Sequence, residues 1–240
     1  MIARGGKAVY GAELGILMLE ARFPRIPGDM GNALTWPFPV RYRVVRGASP
    51  DLAVRRGARG LLEKFVAAGR DLVADGCAGI ATNCGFLSVF QTELSARLGV
   101  PVAASALMQV PLIAATLPPG RRVGVLTICA EALSPAHLAA AGVPPETPIA
   151  GVDPQGALAT TILEDRETLD LAAARAEMIE AAGRLVAKNP DVGAIALECT
   201  NMVPWAADVA RETGLPVHSI FDFMLWFHAA LRPPRFSPPD

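Results

Sequence analysis

Short apolar runs, many of them rich in β-branched residues, recur along the chain at Leu14–Leu19, Val40–Val45, Gly79–Thr82, Val100–Ala104, Arg122–Thr127, Gly193–Leu197 and Leu215–Ser219. Each has the length and composition of a strand. The stretches between several of them carry a helical period. Pro50–Asp75 spaces Leu52, Val54, Leu61, Leu62, Phe65, Val66, Leu72 and Val73 among arginines and lysine. Leu163–Lys188 is rich in Ala, Glu and Arg, the pattern of a solvent-facing helix pair. Strands alternating with helices predict an α/β fold with parallel sheets flanked by helices.

The pattern also repeats. Shifted by 115 residues, the segment around Cys84 lies over the segment around Cys199 for 27 residues without a gap. Ile80 meets Ile195, Ala81 meets Ala196, Phe90 meets Trp205, and Glu93 meets Asp208. Gly99-Val-Pro101-Val102 meets Gly214-Leu-Pro216-Val217. A weaker match joins Leu14–Leu17 to Val123–Leu126. Each copy reads as strand, polar-cysteine turn and helix, then a closing glycine and a proline-led strand. The chain is therefore expected to form two pseudo-symmetric lobes. Residues 1–117 with 216–240 are assigned to one and 118–215 to the other, with the active site in the cleft between them.

Composition narrows the possible functions. Just over half of the 240 residues are hydrophobic, which suits a packed globular protein. Net charge is −1, with no basic patch for a nucleic acid and no polybasic run for an anionic membrane. No apolar stretch reaches the length of a membrane span. The first apolar run, bracketed by Glu13 and Glu20, reads as a buried strand rather than a signal peptide. A soluble, cytoplasmic protein is expected. Its four cysteines form no CxxC pair and are read as free thiols. The three histidines make no zinc-like cluster, and no nucleotide-binding glycine motif is in register.

The repeat places Cys84 and Cys199 at equivalent strand-to-helix corners, beyond the carboxyl ends of strands, where α/β sheets bind ligands. A cysteine at a helix N-terminus is expected to have a lowered pKa. Two of them across a cleft can serve as base and acid on opposite faces of a carbon acid, with no metal or organic cofactor. Backbone N–H groups around Gly85–Phe86 and Thr200–Asn201, helped by the Thr82, Asn83, Thr200 and Asn201 side chains, would hold a carboxylate.

These N-C-G and E-C-T-N turns resemble those of the aspartate/glutamate racemase superfamily, which includes glutamate, aspartate and hydantoin racemases, maleate isomerases and arylmalonate decarboxylases. The resemblance covers nearly the whole chain. It implies two stacked α/β lobes, one cysteine from each, no pyridoxal phosphate, and a homo-oligomer. Thr127 fits the first of two threonines common after the family's fourth strand, and Ala130 replaces the second. C-G-F-L stands where many members read C-N-T-A, which implies a more apolar pocket at Phe86 and Leu87. Glu198 precedes Cys199 where the family often has glycine; it either supports the site or points away from it.

Arg22 and Arg25 follow the first strand and can clamp a substrate carboxylate. They begin a proline-rich loop, 23–39, that reads as a lid or as plain surface. Cys77 falls at the wrong end of its strand and is read as structural. Cys129 and His218 are weaker candidates for the cleft. Asp29, Asp222 and Trp226 are read as structural. The leading expectation is a cofactor-independent racemase or epimerase of a small carboxylate-bearing carbon acid, of amino-acid or hydantoin type. The alternatives are an arylmalonate-decarboxylase-like lyase, a maleate-type cis–trans isomerase, a non-enzymatic small-acid binder and a redox-active cysteine pair.

Overall fold

A computed structural model describes residues 5–7, 9–234 and 236. Its first sheet contains β1 (Leu14–Leu19), β2 (Val40–Val45), β3 (Gly79–Thr82) and β4 (Val102–Ala103), in the order β2-β1-β3-β4. The second contains β5 (Arg122–Thr127), β6 (Ile149–Gly151), β7 (Val192–Leu197) and β8 (Val217–His218), in the order β6-β5-β7-β8. All neighbouring strands are parallel. The two sheets share one topology, as the internal repeat predicts.

Sequence character follows position in the sheet. β1 is buried at all six positions, as a central parallel strand covered on both faces must be. β2 lies at an edge, and its alternating Arg41 and Arg43 pair with Asp71 and Asp75 at the C-terminal end of the helix that packs against it. The Pro50–Asp75 pattern resolves into α1 (Pro50–Val54) and α2 (Leu62–Ala74), separated by a turn in which Gly57, Ala58 and Gly60 have positive φ. The expected Leu163–Lys188 pair is also divided differently. Helix α6 (Ala157–Leu163) ends where the pair was to begin, and α7 (Leu171–Lys188) runs alone.

The 115-residue repeat is kept to the residue. Helix α3 (Gln91–Leu98) and helix α8 (Ala206–Thr213) have identical lengths and end at Gly99 and Gly214, both with φ +67°. That left-handed cap requires no Cβ compromise from glycine. β4 and β8 then start at equivalent positions. The remaining helices are α4 (Val110–Thr116), α5 (Pro135–Ala140) and α9 (Ile220–Leu231).

The lobe boundary differs from the sequence division in one respect. β8 pairs with β7, so residues 217 and 218 lie in the second sheet. The chain then crosses over. Ile220, Phe223, Met224 and Phe227 of α9 pack against Leu14, Ile16, Ala81 and Ala103 of the first sheet. Close approach at Gly79, where an added Cβ would sit 2.6 Å from Leu231, fixes that docking. The main hydrophobic core runs through both lobes without interruption. No helix among the described residues is long and apolar enough to cross a membrane.

Candidate active site

The two cysteine turns face one another and are joined directly. Thr200 Oγ1 donates to the Asn83 carbonyl at 2.7 Å, across the two lobes. Asn83 Oδ1 in turn accepts from the Leu19 N–H at 2.7 Å, and the Asn83 N–H donates to the Leu17 carbonyl at 3.1 Å. Thr82 Oγ1 bonds the Ala104 carbonyl at 2.7 Å and the Cys84 carbonyl at 3.1 Å. Each of these oxygens and N–H groups meets a backbone or cross-lobe partner, which ties the two corners together.

Cys84 and Cys199 line one shared cavity, with Asn83, Gly85, Phe86, Glu198 and Asn201 from the same two turns. Leu19, Phe23, Pro50, Val54, Ile128 and Ile162 close the rest of it. Pro50 and Val54 come from α1 of the first lobe and Ile162 from α6 of the second, so a short helix from each lobe closes the cavity, and the two helices touch. The cavity measures about 20 Å³, room for roughly one water molecule. Anything larger enters only when these caps separate.

Burial reverses the expected acidity of the thiols. Burial, and next the charge of Glu198, push Cys84 up to about 12 despite the Phe86 and Leu87 N–H groups that face its sulfur. Cys199 is also pushed well above the usual thiol range, first by burial and then by Glu198, against one N–H from Asn201. The thiols interact with each other as well. Cys84 precedes a 3₁₀ helix, Gly85–Phe90, whereas Cys199 is followed by a turn, and the next 3₁₀ helix starts only at Val203. The N–H groups that do face the sulfurs lose to desolvation, which is the larger effect in a closed apolar cavity.

Glu198 is the residue whose role the sequence leaves open, and the structure puts it between the two corners. Its Oε2 accepts from Thr127 Oγ1 at 2.7 Å. Its Oε1 is buried with no hydrogen-bond partner among the described residues. The carboxyl presses on the opposite turn so closely that a Cβ on Gly85 would lie 2.1 Å from Oε1. Burial pushes Glu198 up to about 7, against the Thr127 hydrogen bond. Thr127 thus acts on Glu198 rather than lining the cavity.

Asp29, read from the sequence as structural, belongs to this site as well. Its Oδ2 accepts from Asn201 Nδ2, and the Cys199 thiol approaches Asn201 Oδ1 at 3.5 Å. Arg25 Nη1 holds Asp29 Oδ1 at 2.9 Å, and its guanidinium lies 4.4 Å from the centre of the Phe23 ring. Arg25 therefore reaches the site through Asp29 and does not line the cavity. Arg22 is not brought there at all. Its side chain is 73% exposed and pairs with Glu167 at 2.7 Å, because Asp165 holds the Arg22 and Phe23 N–H groups with the Phe23 side chain, not that of Arg22, lining the cavity. Cys77 is buried under β1. Cys129 is half-buried in a separate surface groove with Glu131, Asp153 and Arg184. All four cysteines are free thiols. Asp222 caps α9 with Ser219.

This architecture, two stacked parallel lobes with equivalent turns meeting at their interface, is the fold of the aspartate/glutamate racemase superfamily. Unliganded arylmalonate decarboxylase superposes with a TM-score of 0.56 over 95% of this chain and 97% of its own, at 15% identity. Glutamate racemase from Bacillus anthracis gives 0.56 over 92% and 83%, also at 15% identity. No family model matches the sequence. Among curated proteins, a dimethylsulfoniopropionate lyase from Durusdinium sp. clade D is 28% identical over 233 residues, 94% of this chain and 77% of its own. Dimethylsulfoniopropionate lyase 7 from Emiliania huxleyi is 28% identical over 236 residues, 93% and 69%. The sequence relatives are thus lyases, whereas solved structures of this fold include racemases and a decarboxylase.

Proposed function

We propose that the protein is a cofactor-independent enzyme that removes a proton next to a carboxylate, and that it does so as a lyase on a small β-substituted acid of the dimethylsulfoniopropionate type. The observation that carries this reading is the convergence of Cys84 and Cys199 on one closed, apolar cavity. The relatives at 28% identity along nearly the whole chain favour elimination over racemisation.

The chemistry follows from the parts. One cysteine, as thiolate, takes the α-proton. The electron pair left behind forms the Cα–Cβ double bond as the Cβ–S bond breaks. Dimethyl sulfide leaves and acrylate remains. The proton carried by the cysteine passes to solvent, which restores the thiolate. Negative charge builds on the substrate carboxylate during this step. The N–H groups of Phe86, Leu87 and Asn201 face the sulfurs at the same corners and suit that charge. The apolar caps exclude water, which strengthens each of these interactions.

A second reading, racemisation of a small α-substituted acid, is supported by the pseudo-symmetry of the two thiols, since inversion needs a base on one face and an acid on the other. One experiment tests both. Purified protein is incubated with dimethylsulfoniopropionate in D₂O, then separately with aspartate, glutamate and a hydantoin, and followed by proton NMR. Acrylate with dimethyl sulfide supports the lyase. Loss of the α-proton signal from a recovered amino acid or hydantoin supports the racemase. Neither product from any of them refutes the proposal.

A further inference from the structure

We infer that Glu198 is the counter-charge for a cationic onium group on the substrate, so that this cavity selects small zwitterions whose β-substituent is a methylated sulfonium or ammonium. The inference deepens the lyase reading and rests on it for the substrate's carboxylate end.

Three observations carry it. Among the described residues, Glu198 is the only ionisable cavity-lining side chain other than the two cysteines, and no arginine, lysine or histidine of them lines the cavity. Its Oε1 is buried with no partner among the described residues, and it sits against Gly85 at the far cysteine's turn. Apart from Asn83, Asn201 and Gly85, the remaining walls are aliphatic or aromatic, with Phe23 and Phe86 among them. An apolar, partly aromatic pocket with one carboxylate is the chemistry that holds a quaternary onium, which offers methyl groups and diffuse positive charge but no hydrogen-bond donors. An unpartnered carboxylate oxygen suits such a cation, because nothing else in the pocket donates to it. A second substrate carboxylate would find no cation here and would repel Glu198.

The groups facing Glu198 are Thr127 from β5, the Cys84–Gly85 turn after β3, and Cys199 and Asn201 from its own turn. Asp29 and its partner Arg25 stand behind Asn201. Glu198 raises both thiols. A bound onium offsets that charge, so the substrate itself favours the thiolate that attacks it.

The test uses an isosteric pair that differs only in charge: 3-(trimethylammonio)propionate, whose amine leaves far less readily than a sulfide, and 4,4-dimethylpentanoate. Binding of each is measured by calorimetry to the wild-type protein and to Glu198→Gln. The wild type should prefer the ammonium compound by about tenfold or more, the ratio expected of one charge pair in a low-dielectric site. Glu198→Gln should bind the two equally. If that variant fails to fold, wild-type protein supplies the readout. Its preference should hold at about pH 8 and fade at about pH 5.5, where Glu198 is protonated. Equal binding by the wild type at pH 8, no binding of either probe, or a preference that survives both the substitution and the acid would overturn the inference. Charge preference without sulfide release would refute only the lyase reading, and sulfide release without preference only this one.

Discussion

Replacing Glu198 by Gln perturbs the group on which the site's electrostatics turn, and the size of the effect follows from the structure. The folded chain holds Glu198 at about 7 against a usual value of 4.5. An acid raised in the folded state keeps its proton where the unfolded chain has released it. Stability is therefore lost as pH rises from about 4.5 to about 7, and stays lower above that window. The gap corresponds to about 3 kcal/mol at 1.36 kcal/mol per unit. Gln has no proton to release. Its amide can still accept from Thr127, and any fixed cost of burying its NH₂ group is the same at every pH. The assay is urea unfolding of both proteins at about pH 4.5 and about pH 8, with the two-state midpoint and slope fitted at each. The stability difference should move in favour of Glu198→Gln by about 3 kcal/mol between the two conditions. Thiol titration is common to both proteins and largely cancels. An offset that is the same at both pH values would refute the claim that Glu198 is buried as an acid with a raised pKa.

Other expected outcomes follow from the same geometry. Cys84→Ser and Cys199→Ser should fold like the wild type by circular dichroism. At least one should lose about a hundredfold or more of α-proton removal, the usual scale for a positioned acid or base. Iodoacetamide near pH 8, read by peptide mass mapping, should alkylate half-buried Cys129 well before Cys84 or Cys199; fast labelling of the cavity thiols would contradict the closed site. Thr200→Val removes the bond between the two turns and leaves the Asn83 carbonyl buried without its partner, so thermal unfolding should register a loss of about 1–3 kcal/mol. Gly85→Ala drives a methyl into Glu198 Oε1 and its backbone carbonyl, with an expected cost of about 1–3 kcal/mol or more.

Much of this protein can be read from its sequence, for physical reasons. The 115-residue shift predicts equal helices and equal glycine caps because a left-handed turn constrains both copies alike, and α3, α8, Gly99 and Gly214 match to the residue. The seven short apolar runs all hold strands. β6 does not stand out because it is three residues long and only half-buried, and its short run, Ile149–Gly151, sits among prolines and polar residues. The cysteines' position is legible, but their acidity is not. The dipole and N–H groups are local features, whereas the burial that outweighs them comes from α1 and α6, distant in sequence. Asp29 is hidden for the same reason, one acidic residue among many until the fold puts it against Asn201. Glu198 stands out beside Cys199, but which way it points is decided only when the fold puts it against Gly85. Arg22 illustrates the converse, since following a strand does not determine which way a chain turns.

The most direct test of the central claim is α-deuterium incorporation with the two cysteines altered in turn. The wild type, Cys84→Ala, Cys199→Ala and the double variant are each given dimethylsulfoniopropionate in D₂O, and both product and recovered substrate are examined by NMR. The wild type should release acrylate or exchange the α-proton, the double variant should do neither, and at least one single variant should be severely impaired. Undiminished turnover in both single variants would mean that the shared cavity is not where the proton is taken.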